Sequence, residues 1–128
     1  MPSKKKPAAK AEKPHLPSKL DAYMGFASKA GKLLSGTNTC TYSLQKGKVK
    51  LLLIASDVSA NTIDKMESAA KGTRTPYRIY GEADRLAHCT GKYGHGVFAV
   101  TDSNFAKVIA AEIDKKQATV DNTDIQEV

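Results

Sequence analysis

Little in this chain of 128 residues can hold a fold together from outside its core. Two cysteines, Cys40 and Cys89, are too few for a disulfide framework, and no Cys-x-x-Cys pair supplies the spacing of a zinc site. No apolar run approaches the roughly 20 residues that a membrane span needs. The start of the chain has neither the apolar h-region of a secretory signal nor the Arg/Ser character of a transit peptide. The expectation is a cytoplasmic protein with no membrane contact, its cysteines free thiols that serve as small apolar residues. No internal repeat is present, and the length supports one modest core rather than two.

Acids are also scarce, 13 against 20 Lys plus Arg, and the excess is unevenly spread. Residues 1–19 carry +5, residues 20–111 carry +5 and residues 112–128 carry −3. The first stretch, rich in Lys, Pro and Ala, buries too little to offset its ordering entropy, so 1–19 is expected to be a disordered basic tail. From Ala118 onward the sequence is polar, acidic and without periodicity, which predicts a frayed tail over 118–128. The folded domain is expected over 20–117.

Within it, strand and helix signals alternate. Ser18 and Asp21 predict a capped helix over about 19–31, with Leu20, Tyr23, Met24 and Ala27 on one face and a stop at Gly31. Lys32 to Ser35 fits a short strand, Gly36 a turn, and Asn38 the cap of a second helix ending near Gly47. The continuous apolar run Lys50 to Ala55 suits a strand covered on both faces, at the centre of a sheet. A helix capped by Ser59 and closed at Lys71-Gly72, a strand over Pro76 to Tyr80, and a helix from Ala83 to Gly91 follow. Gly96 to Thr101 is the last strand, and Phe105, Val108, Ile109 and Ile113 mark a closing helix behind Ser103. Helices of about ten residues between strands imply crossover connections. The fold class is α/β, a three-layer α/β/α sandwich with a small mixed sheet and helices on both faces.

Catalytic residue types are present without a catalytic motif. Asp57, Asp84, Asp102, His88, His95, Ser35 and Cys89 form no recognised constellation. Gly-Lys occurs at Gly31-Lys32, Gly47-Lys48 and Gly91-Lys92, but no Ser or Thr follows to hold magnesium, so the phosphate-loop pattern fails. His88, Cys89 and His95 fall short of four spaced metal ligands. Asp57 and Asp102 lie just past apolar strands, the edge where open α/β sheets bind ligands, yet aspartate there also satisfies exposed backbone amides. No metal, cofactor, small-molecule substrate or enzymatic activity is expected.

Two loops carry more information. In Ser35-Gly36-Thr37-Asn38-Thr39 a glycine turn delivers a polar amide to a helix start, where free N–H groups and the helix dipole favour phosphate. Asn38 has two roles open to it there, pairing with a base edge or capping its own helix. Lys29, Lys32, Lys46, Lys48 and Lys50 cluster in sequence around this turn, which favours nucleic acid. In Gly91-Lys92-Tyr93-Gly94-His95-Gly96, three glycines permit close backbone approach and Tyr93 or His95 can stack on an extruded base. The same loop is the place to look for a nucleotide cofactor, a weaker alternative.

These residues resemble the kink-turn-binding ribosomal protein superfamily over about residues 20–112. The likeness rests on Gly36-Thr37-Asn38, on Leu51 to Asp57, on Thr75-Pro76-Tyr77, and on Leu86 to Gly91 before the final strand. The opening Met24 to Lys32 and the ending Thr101-Asp102-x-x-Phe105 are most similar to its bacterial YlxQ-like branch. The resemblance implies a non-enzymatic α/β/α domain that holds RNA by the start of helix 2 and the loop before the last strand; the expected partner is RNA, ribosomal RNA included, and the expected state a monomer. Where the family places a glutamate next to the asparagine and a lysine further along the helix, this chain has Thr39 and Tyr42, and the usual Leu-Gly reads Leu86-Ala87. The expected RNA-binding residues are Lys32, Gly36, Thr37, Asn38, Thr39, Tyr42, Lys46, Gly91, Lys92, Tyr93 and His95. The alternative is a protein-interaction module on the same fold that has lost kink-turn recognition.

Overall fold

The computed structural model describes residues 18–127, with side chains described to residue 117. The expected basic tail, except its last two residues, therefore lies outside the described residues. Helix α1 spans Lys19–Lys29, and the Ser18 hydroxyl accepts from the Asp21 amide at 3.2 Å, as the capping signal predicts. Strand β1 (Leu33–Ser35) leads to α2 (Thr37–Gln45), then β2 (Leu51–Ile54) to α3 (Ala60–Gly72) and β3 (Tyr77–Ile79) to α4 (Ala83–Thr90). Strand β4 (Val97–Val100) and α5 (Ser103–Glu127) complete the chain.

Strand order is β1-β4-β2-β3. Only β2 and β3 run parallel, while β4 pairs antiparallel with β1 and with β2, so the sheet is mixed. The continuous apolar runs are explained by what covers them. Leu51 and Leu53 join Phe98, Val100, Met24, Ile109 and Ile113 in a core against α1, α4 and α5. Leu52 and Ile54, with Val97 and Ala99, point the other way against Cys40, Leu44, Met66 and Ala70 of α2 and α3. Period-two alternation thus serves two apolar layers, and no strand position in β2 or β4 faces water.

Several side chains close element ends. Ser59 caps α3 by accepting from the Thr62 amide at 3.1 Å. Asp57 accepts from the Ala83 amide at 2.9 Å, at the start of α4, and Asp102 from the Phe105 amide at 2.9 Å, at the start of α5. Both aspartates past the strands are therefore bound to backbone amides, and Asp102, not Ser103, caps the last helix. The backbone of α5 runs helical to Glu127. Once nucleated, a helix gains one backbone bond per added residue and needs no apolar stripe to continue.

Cys40 and Cys89 are free thiols, Cys40 fully buried and Cys89 partly so. Burial pushes the Cys40 pKa up to about 12, and burial followed by the charge of Asp21 pushes Cys89 up to about 11.

Two outcomes follow from this packing. Phe98→Ala, in a central strand between the layers, is expected to cost about 3–5 kcal/mol, read from the urea midpoint of unfolding. Both thiols hold their protons far above the ordinary value of 9.0, so iodoacetamide at pH 8 is expected to label the native protein at least tenfold more slowly than the urea-unfolded chain, roughly a tenfold loss of thiolate per unit of pKa. Equal labelling rates would contradict this packing of the two cysteines.

Candidate nucleic-acid interface

The pairing of β1 with β4 brings the two informative loops together. Leu33, Leu34 and Ser35 sit opposite Val100, Ala99 and Phe98, and the ladder ends where the Gly36 amide donates to the Val97 carbonyl at 3.0 Å. Gly36 adopts φ 99° and ψ 143°, a conformation that side-chain-bearing residues rarely take, and its carbonyl accepts the first bond of α2 from the Cys40 amide at 2.9 Å. A Cβ at this glycine would lie 3.3 Å from the His95 Cε1. The imidazole therefore rests on the turn and brings the Gly91–Gly96 loop beside the start of α2.

Glycine also changes the role of Asn38. The sequence allows Asn38 as the cap of α2, but Gly36 takes that position and Asn38 becomes the second helical residue. Among the described residues no side chain caps α2, and its first turn holds no acid, so none of them compensates the leading N–H groups or the positive end of the dipole. Asn38 is exposed, and among the described residues its amide makes no hydrogen bond. One donor pair and one acceptor are thus presented outward.

Thr37 is half-buried, and its carbonyl accepts from the Thr41 hydroxyl at 2.7 Å. Thr39 is exposed. Tyr42, one turn beyond Asn38 on the same face, is 60% exposed, with the Lys46 ammonium 5.3 Å from its ring centroid. The position that holds a basic side chain in the resembled family thus carries an aromatic platform here, with a cation borrowed from the next turn.

In the opposing loop Gly91 ends α4 at φ 75° and Gly94 turns at φ 84°. Tyr93 is 65% exposed, His95 is exposed and Lys92 is partly buried. Gly96 carries a constraint that sequence reasoning missed. A Cβ there would collide with Cγ1 of Val58 and approach Ala83 at 3.4 Å, so the loop after β2 packs against the foot of the Gly91–Gly96 loop. Glycine immediately before the last strand was the available signal, but its partner across the sheet was not readable.

The lysines do not gather at the turn. Lys32 stands at the opposite end of β1, where its carbonyl accepts from the Thr101 amide at 2.9 Å, about 13 Å of strand away from Gly36. Lys46 lies about 12 Å along α2 from Asn38. Strand register puts Lys32 and Lys50 on either side of Thr101 at that far end, with Lys48 near Lys50, while the Lys46 ammonium turns back over Tyr42, so neighbourhood in sequence misplaced Lys32, Lys48 and Lys50.

The family model of the ribosomal protein L7Ae/L30e/S12e/Gadd45 family matches residues 18–110. RNA-binding protein YlxQ of Bacillus subtilis is 30% identical over 91 residues, covering 71% of this chain and 91% of that protein. RNA-binding protein YlxQ of Enterococcus faecium is 31% identical over 85 residues, covering 66% and 81%. Among solved structures, a Bacillus halodurans protein of unknown function superposes with a TM-score of 0.74 at 28% identity, covering 77% of this chain and 99% of that one. A Giardia lamblia 15.5 kDa RNA-binding protein has the same fold, with a TM-score of 0.63 at 18% identity over 80% of this chain and 91% of that one. The mixed sheet, the glycine turn into α2 and the loop folded against it are accordingly those of a member of the ribosomal protein L7Ae/L30e/S12e/Gadd45 family, on its YlxQ-like branch.

Proposed function

We propose that this chain is a non-catalytic, cytoplasmic, monomeric RNA-binding protein that recognises kinked or internal-loop RNA, ribosomal RNA included, through the cleft between the first turn of α2 and the Gly91–Gly96 loop. The observation that carries this is the contact of His95 with Gly36. It sets two surfaces suited to an unstacked nucleotide side by side, and each supplies what the other lacks.

On the helical side, uncapped N–H groups and the dipole hold a phosphate without any side-chain charge. The free Asn38 amide donates to and accepts from a base edge at the same place. On the loop side, Tyr93 and His95 are exposed rings on which a splayed base stacks. RNA presents such bases in internal loops and bends, not in regular duplex. The relatives from Bacillus subtilis and Enterococcus faecium bear the name RNA-binding protein, which supports the same conclusion.

The neutral residues Thr39 and Tyr42 shape the target. Without an acid beside Asn38 and a base one turn on, the helix reads a base edge through Asn38 alone, and stacking on Tyr42 and Lys46 replaces a charged contact. That favours bent RNA in general over a standard kink-turn. The same two residues favour the second reading, a protein-interaction module on this fold.

The test is binding of a fluorescent internal-loop hairpin across a salt series. The wild-type chain is expected to bind, with log affinity falling by about 0.7 to 0.9 per phosphate neutralised as log salt rises. Asn38→Ala is expected to weaken binding by about 1–3 kcal/mol, roughly five- to 150-fold in Kd, with little change in the salt slope. No binding at low salt, together with co-purification of a protein partner, would support the interaction module instead.

A further inference from the structure

A second concave feature lies beyond the cleft. A groove of about 590 Å³ runs between α2 and the edge strand β1, lined by Leu34, Thr39, Ser43, Lys48, Lys50 and Thr101. Thr39 adjoins Asn38, so the groove begins where the cleft ends. Its other end is set by strand register. Leu33 pairs with Val100 and Val100 with Leu51, which places Lys32, Thr101 and Lys50 side by side one residue further out on three adjacent strands. Backbone bonds from Thr101 to Lys32 at 2.9 Å and from Lys50 to Val100 at 2.7 Å fix that row.

The lining is suited to an anion. It contains no carboxylate, two exposed lysines and three hydroxyls. Among the described residues Lys32, Lys48 and Lys50 form no ion pair, while the acids that do pair, Asp21, Glu112 and Asp114, lie on α1 and α5 across the sheet. Ser43 supplies an independent sign. It is 5% exposed, it lines the groove, and among the described residues its hydroxyl has no hydrogen-bond partner. Buried hydroxyls are seldom left so, because the unmade bond costs free energy.

We infer that this groove is a second RNA contact, holding the sugar-phosphate backbone of the strand that leaves the cleft. The inference rests on the RNA-binding function proposed above. From Thr39 to Lys46 the helix rises about 10 Å, room for roughly three phosphates at the axial spacing of one strand in a duplex. Ammonium groups and hydroxyls hold those phosphates and read no sequence, so the groove adds affinity and fixes the direction of the flanking stem, while selectivity stays with the cleft.

The experiment uses the full chain and two hairpins that share one internal loop, one with a long stem beside the loop and one with that stem cut back to its closing pair. For the long-stem RNA, K48Q/K50Q is expected to reduce the slope of log affinity against log salt by about 1 per lysine, with about tenfold weaker binding at low salt. Binding of the short-stem RNA is expected to stay within about twofold, because its phosphates end short of the groove. K48R/K50R, which keeps both charges, is expected to retain the wild-type slope. If Asn38→Ala weakens binding while K48Q/K50Q leaves slope and affinity intact, or if the wild-type chain does not distinguish the two stems, the groove inference is overturned and the cleft stands. If the wild-type chain binds neither hairpin, both fall.

Discussion

The antiparallel ladder between β1 and β4 is the constraint on which the cleft depends. Strand β4 is fully buried between the two helical layers, so its position is fixed by the core rather than by the surface. Strand β1 has only three residues, and its last bond, from Gly36 to Val97, leaves the chain no room before α2 must start. The turn that results needs a positive φ and the space a side chain would fill, because the His95 ring already lies there. A helix start and a glycine-rich loop are thereby held by a fully buried strand of the sheet, the arrangement that keeps recognition groups in register.

Two kinds of electrostatics meet along α2. At its beginning the attraction for an anion comes from oriented N–H groups and a helix dipole, fixed in place by the backbone. Towards its end it comes from lysine ammonium groups on long stems, which respond strongly to ionic strength. Among the described residues the acids that form ion pairs lie on α1 and α5, in the helical layer opposite α2. The stacked Tyr42 and Lys46 stand between the two regimes, exposed and geometrically matched to each other.

Much of the fold was legible because the relevant signals are local. Ser18 and Ser59 act as the caps their spacing suggests, Gly31 and Gly91 follow the ends of α1 and α4, and the unbroken apolar runs mark the two central strands. Residues 36–39 and 91–96 were recognisable as loops with chemistry in them, but their adjacency was not, since it depends on a strand pairing across some sixty positions. The same non-local pairing misled the placement of Lys32, Lys48 and Lys50, which flank the turn in sequence and lie at the far end in space. Of the two roles the sequence leaves open for Asn38, capping is closed only by the structure, where Gly36 already holds that position. Val58 beneath Gly96 has no sequence signature.

Both outer strands of the sheet, β1 and β3, are three residues long. A neighbouring molecule could form only a few backbone bonds on either edge, and on β1 it would have to approach past Lys32. Short edges guarded by charge are a common defence against pairing between copies. The brevity that forces the tight turn at Gly36 therefore also protects the folded protein from edge-to-edge aggregation when it is crowded.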